Sequence, residues 1–128
     1  MKAPEWVLHE TVLALHEQLL AQFGGLSGVR DVGLLESALA RPRQLLAYGN
    51  PTLASLAAAY VDGLVRNHPF LDGNKRVAFV TAVVFLELNG LRFTASEAEA
   101  VVQTLGLAAR EIKPAAYTLW LAANVEPA

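Results

Sequence analysis

A chain of 128 residues, 54% of them hydrophobic, is long enough for one core, too short for two comfortable ones and too apolar to be disordered, so residues 1–128 read as one domain. A net charge of −2 and a pI near 5.9 offer no surface for direct nucleic-acid binding or for an acidic membrane. No cysteine is present, which excludes disulfides and thiolate metal sites and suits a reducing cytoplasm; no apolar run is long enough to span a bilayer, and the first residues open no signal peptide.

In chain order, the first helix is expected from Pro4, a good first-turn residue, to Phe23, with Leu8, Val12, Leu15, Leu19 and Phe23 as its inward stripe. His9 and His16 fall on a mixed polar face without metal-ligand spacing and read as solvated histidines. Gly24-Gly25 stops this helix, and Asp31 caps a short second one that ends at Pro42. Arg30 reads as a loop cation, able to reach a phosphate or carboxylate or simply to solvate the loop. Residues 41–48 suggest a further short turn closed by Gly49-Asn50-Pro51. Thr52 or Ser55 starts a third helix that ends at Asn67, because Pro69 turns His68 away from helical dihedrals and onto an extended segment.

The stretch His68-Pro69-Phe70-Leu71-Asp72-Gly73-Asn74-Lys75-Arg76 is followed by an apolar run from Val77 to Leu86 in which Thr81 is the only polar residue. A helix apolar on every face belongs at the centre of a domain, so this polar loop lies at the mouth of the most buried element. Phe70 plugs the core and anchors the loop. Gly73 supplies a positive φ, and Asp72 or Asn74 caps the following helix. Lys75 and Arg76 then occupy a first helical turn, where free N–H groups already favour negative charge. An anion repairs the conflict: N–H groups, Lys75 and Arg76 together make a phosphate cradle. Asp72 beside it suits a hard divalent cation, and His68 has the side chain suited to base catalysis near neutral pH.

Beyond the loop, Asn89-Gly90 stops the central helix and Leu91-Arg92-Phe93-Thr94 is extended at most. Ser96-Glu97-Ala98-Glu99 has the pattern of a capping box and opens a helix through Leu105. Pro114 starts the last helix, which buries Tyr117, Trp120 and Leu121. The expected fold is all-α, a compact bundle of about six helices around a buried central helix.

The pattern His-x-Phe-x-Asp-Gly-Asn-x-Arg resembles the Fic/Doc signature, and Lys75 in its variable place resembles the Doc (death-on-curing) branch. Gly24-Gly25, Gly28-Val29-Arg30-Asp31, Leu34-Leu35-Glu36-Ser37-Ala38-Leu39 and Phe85-Leu86-Glu87-Leu88-Asn89-Gly90 extend the resemblance over most of the chain. It implies the toxin of a toxin–antitoxin pair that uses ATP and Mg²⁺ to phosphorylate a Ser or Thr hydroxyl of a translation factor such as elongation factor Tu, arresting translation and growth. In that reading His68 is the general base and Asp72 holds Mg²⁺. Gly73, Asn74, Lys75 and Arg76 hold the phosphates, the Asn74 side chain included, and residues 45–52 stand where the family has a flap over the target segment. The adenylyl-transferring branch has Gly where Lys75 stands and Arg where Phe79 stands, whereas Doc proteins often have Thr where Val77 stands.

Two other readings remain open: an adenylyltransferase that uses the same cradle with ATP reversed, and a catalytically silent helical interaction module. A His68–Asp72 metal site is weak, since no third ligand suggests itself. No glutamate has Ser or Thr four residues before it, so the inhibitory helix of self-restrained Fic proteins is missing. The resemblance then implies restraint in trans by a Phd-like antitoxin whose C-terminal segment folds into a groove of this domain.

Overall fold

The computed structural model describes residues 3–128. Among them run six α-helices: α1 (His9–Phe23), α2 (Val32–Ala47), α3 (Leu53–Asn67), α4 (Asn74–Leu88), α5 (Glu97–Ala108) and α6 (Pro114–Ala123). A short antiparallel ribbon joins β1 (Leu91–Phe93) to β2 (Val125–Pro127), with Arg92 opposite Glu126. The all-α class follows from the sequence as expected, while β2 does not. Val125-Glu126-Pro127 is too short to carry an alternating pattern, and its partner lies more than thirty residues away.

The centre is a pair of helices rather than the single helix α4. The α4 run packs on α1, α3, α5 and β1, but α3 lies against α2, α4, α5 and α6. Ala54, Ala57, Ala58 and Gly63 alternate along α3 with Leu56, Tyr60, Val61 and Leu64, all of them buried. Small residues let neighbouring helices close on several sides of α3, while the larger ones fill the spaces between.

Two helix boundaries differ from those expected. Pro42 does not end α2; it lies buried inside a helix that continues to Ala47, so residues 41–47 are its last turns and not a separate one. Proline removes an N–H and frees the carbonyl four residues earlier, that of Ala38. That carbonyl faces Gly63 of α3, where an added Cβ would stand 3.0 Å from it. The crossing of α2 over α3, tied further by Arg41 of α2 on the buried carboxylate of Asp62, carries the helix through its proline. Pro4, in turn, does not start α1. Residues 4–8 are not helical because side chains take their backbone groups: Glu5 exchanges hydrogen bonds with Asn89, and the Val7 N–H donates to the Tyr60 hydroxyl at 3.1 Å.

Most end signals are realised as read. Gly24 (φ 80) caps α1, and Gly90 (φ 83) follows the Asn89 cap of α4, each at a positive φ that glycine takes without strain. Asp31 and Thr52 cap α2 and α3 through Leu34 N–H and Ser55 N–H, and Ser96 accepts from Glu99 N–H at 3.2 Å. The inward stripe of α1 is rolled from its expected place. Val12 and His16 are buried, Leu15 and Leu19 are partly so, and Leu8 and Phe23 are about half exposed.

Candidate functional site

The loop between α3 and α4 is built by its own residues. His68 ends α3 as its left-handed cap, φ 50 and ψ 55, with its N–H on the Leu64 carbonyl. It is therefore not on an extended segment: Pro69 stops the helix, and the chain turns within His68 itself. Non-glycine residues in this region are uncommon and held there by their surroundings. The imidazole is exposed. Phe70 is fully buried, the anchor the sequence suggested.

Asn74 closes the loop. Its Oδ1 accepts the Phe70 N–H at 2.9 Å and its Nδ2 donates to the Phe70 carbonyl at 3.0 Å, with the side chain buried. This corrects two expectations. Neither Asp72 nor Asn74 caps α4, whose N-cap is Gly73 in the left-handed region at φ 78 without a side-chain cap. The Asn74 amide is spent on Phe70, so towards a phosphate this residue offers its backbone N–H and not its side chain.

A second loop, residues 24–31, grips the first. Val29 pairs with Phe70 as an antiparallel bridge, Leu71 N–H donates to the Gly28 carbonyl, and the Pro69 carbonyl accepts from Arg30 and Asp31. Arg30 is neither in an ion pair with a carboxylate nor left to solvate the loop: its Nε and Nη2 donate to the His68 and Asn67 carbonyls at 2.8 and 2.9 Å. A cation on the last carbonyls of a helix is well placed in its dipole. Residues 45–52 do not lie over the site. The fifteen residues of α3 separate them from His68 by about 22 Å at 1.5 Å per residue. At that far end they line a separate cleft of about 710 Å³ with Asp62 and Pro114.

His16 is the residue that sequence reasoning misplaced. It is 3% exposed, its ring stacks on Phe70 with centroids 3.8 Å apart, and its Nε2 lies 2.7 Å from the Asp72 carbonyl oxygen. The rolled stripe of α1 brings it under the loop. Its spacing of four from Val12 was the available signal, but the contact spans 56 residues of chain.

The electrostatics are those of an anion site. At the start of α4 the first N–H with an intrahelical partner is that of Val77, on the Gly73 carbonyl, so those of Asn74, Lys75 and Arg76 are free among the described residues. Lys75 and Arg76 are exposed, and the first turn carries no acid. The Arg76 guanidinium lies over the Phe23 ring at 4.5 Å, which orients it while leaving its N–H edge for an acceptor. Lys75 also borders a cleft of about 620 Å³ with Val102, Leu105 and Ile112. Asp72 is exposed, and its Oδ2 accepts the Leu26 N–H at 2.8 Å. Among the described residues no three His, Asp or Glu side chains converge as a metal cluster. A divalent ion here would therefore share Asp72 with phosphate oxygens, the arrangement Mg²⁺ favours. The structure thus brings His68, Asp72, Gly73, Lys75 and Arg76 onto one loop and helix start, and turns the Asn74 side chain away from solvent.

The model of the Fic/DOC family matches residues 6–86 of the chain. Toxin Doc of Mycolicibacterium smegmatis (strain ATCC 700084 / mc(2)155) is 49% identical over 76 residues, a match covering 57% of this chain and 58% of that protein. Protein kinase doc of Escherichia phage P1 is 36% identical over 104 residues, covering 80% of this chain and 82% of that protein.

Proposed function

Because the chain belongs to the Fic/DOC family, we propose that it is the toxin of a toxin–antitoxin pair and an ATP-dependent phosphotransferase acting on a Ser or Thr hydroxyl of a protein. The observation that carries this reading is an exposed His68 on the loop that leads, six residues on, into a helix start with three free N–H groups, two cations and no acid. That juxtaposition matches the needs of phosphoryl transfer, which are positioning and charge stabilisation more than covalent chemistry. The relative named a protein kinase supports the same choice.

In this mechanism His68 takes the proton from the target hydroxyl as that oxygen attacks the γ-phosphorus of ATP, the bond from that phosphorus to the bridging oxygen breaks, and ADP leaves. The N–H groups of Asn74, Lys75 and Arg76 bind phosphate oxygens, and the Lys75 and Arg76 side chains offset the charge that develops on them. Gly73, at φ 78, makes the turn after which these donors are left without intrahelical partners. ATP supplies the phosphoryl group, and Mg²⁺ held by Asp72 would neutralise its phosphates. Phe79, where adenylyl-transferring relatives have Arg, packs edge-on against Phe93 at 5.3 Å, an apolar contact that supports phosphoryl over adenylyl transfer. The target we infer is a translation factor of the elongation factor Tu type in the cytoplasm, and the restraint a small antitoxin laying its C-terminal segment on this domain.

Isotope position tests the reaction. Label on the γ-phosphate of ATP is expected to pass to the target and label on the α-phosphate is not; transfer of α-label by the unaltered chain would overturn the phosphotransferase reading. Lys75→Gly is expected to lower γ-transfer by removing a charge and opening the space it fills. His68→Ala is expected to reduce transfer by roughly a hundredfold to ten-thousandfold, the contribution of a positioned base.

A further inference from the structure

We propose that His16, far from the loop in sequence, is a positioning residue for the Asp72 metal site, an inference that rests on the reading of Asp72 as the cation ligand. A carbonyl oxygen only accepts, so at 2.7 Å from the Asp72 oxygen His16 Nε2 carries the proton and donates. The ring cannot swing, because it lies flat on Phe70 at 15°, and Phe70 is itself fully buried. Gly73 passes directly over it: a Cβ at that residue would meet His16 Nε2 at 3.5 Å. The loop therefore rests on the imidazole along Phe70, Asp72 and Gly73.

From the other side, Leu26 N–H holds Asp72 Oδ2 at 2.8 Å. Gly25 lets that strand of loop come close, since a Cβ there would stand 3.2 Å from the Asp72 Cβ. With its backbone fixed by His16 and one carboxylate oxygen fixed by Leu26, Asp72 presents Oδ1 in one orientation. A carboxylate ordered in advance binds an ion without losing its own freedom on binding, and second-layer partners of this kind set metal affinity. A packing role alone explains why His16 is buried but not why a polar ring is used: Phe or Leu would fill the space without the cost of taking imidazole out of water.

The experiment titrates Mn²⁺ with ADP into the full chain and reads free Mn²⁺ by electron paramagnetic resonance, with folding followed by thermal melting. Asp72→Ala is expected to remove the site. His16→Phe, which keeps the ring on Phe70 but cannot donate, is expected to raise the apparent Kd ten- to a hundredfold. His16→Gln places an amide N–H the same number of bonds from Cβ and is expected to recover most of that loss. If Asp72→Ala removes the site while a folded His16→Phe stays within twofold of the parent, the positioning role is overturned and the metal reading stands. If affinity does not depend on Asp72 at all, the metal reading fails and the inference falls with it. Nitrogen-15 histidine spectra of the unaltered chain decide the matter even where His16→Phe fails to fold. A slowly exchanging Nε2–H on His16 that shifts on adding Mg²⁺ and ADP supports the proposal, and an Nδ1–H tautomer or an unmoved resonance overturns it.

Discussion

An L-residue at φ 50 carries a steric cost of about 1–2 kcal/mol that glycine does not. If His68 is there for its imidazole, glycine is the better residue for the fold, offset by the extra freedom it gives the unfolded chain. We therefore expect His68→Gly to be about 0.5–1 kcal/mol more stable than His68→Ala in urea unfolding, with both variants equally inactive. Equal stabilities would show that the turn is relaxed for any residue. Asn74 is the converse case. Asn74→Ala leaves the buried Phe70 N–H and carbonyl without partners, and each unpaired group costs about 1–3 kcal/mol. A loss of about 2–4 kcal/mol is expected; a loss below 1 kcal/mol would show that water replaces the amide. The sequence displayed the site residues because they are contiguous and their chemistry conflicts with helix rules. It could not display what Asn74, Arg30 and His16 do, since the same side chain that can cradle a phosphate can bond a backbone. Only the partner, 38 residues away for Arg30 and 56 for His16, decides.

At the level of helices, caps were legible and continuations were not. Asp31, Thr52 and Ser96 bond within three residues of themselves, so local chemistry suffices to read them. Pro42 needed knowledge of α3, because the Ala38 carbonyl it frees is accommodated by the missing side chain of Gly63. That relation is testable from the other helix. Gly63→Ala puts a Cβ 3.0 Å from the Ala38 carbonyl and 3.1 Å from Arg41 Cδ. The flexible arginine can give way, but the backbone carbonyl cannot without moving α2. The gain in helix propensity, about 1 kcal/mol, is then outweighed, and a net destabilisation of about 1–3 kcal/mol is expected from chemical denaturation. Stabilisation by Gly63→Ala would mean that α2 bends away at Pro42 without cost. The site should feel the strain little, since residues 24–31 and not the end of α2 hold the loop.

On the scale of the whole molecule, two buried phenols contribute to its behaviour in alkali. Burial pushes the Tyr117 hydroxyl up to about 12, partly opposed by its hydrogen bond with Thr104, which joins α5 to α6 at 2.9 Å. Burial also raises Tyr60, against the opposing effects of its Val7 hydrogen bond and of Arg43. Unfolded tyrosine loses its proton near 10. Below that value both states hold the proton and the full stability is present. Between about 10 and 12 the unfolded chain releases a proton that the folded Tyr117 retains, so stability falls as pH rises through this window. Two units correspond to about 2–3 kcal/mol, a sizeable part of the margin of a domain this size. Tyr117→Phe is expected to cost about 1 kcal/mol near neutrality, where it leaves Thr104 without its partner. It should also flatten the alkaline fall, so that the two stability curves converge and then cross between pH 10 and 12. Urea midpoints measured across that range check this directly. Parallel curves for the two proteins would place the alkaline transition elsewhere, with Tyr60 as the next group to replace.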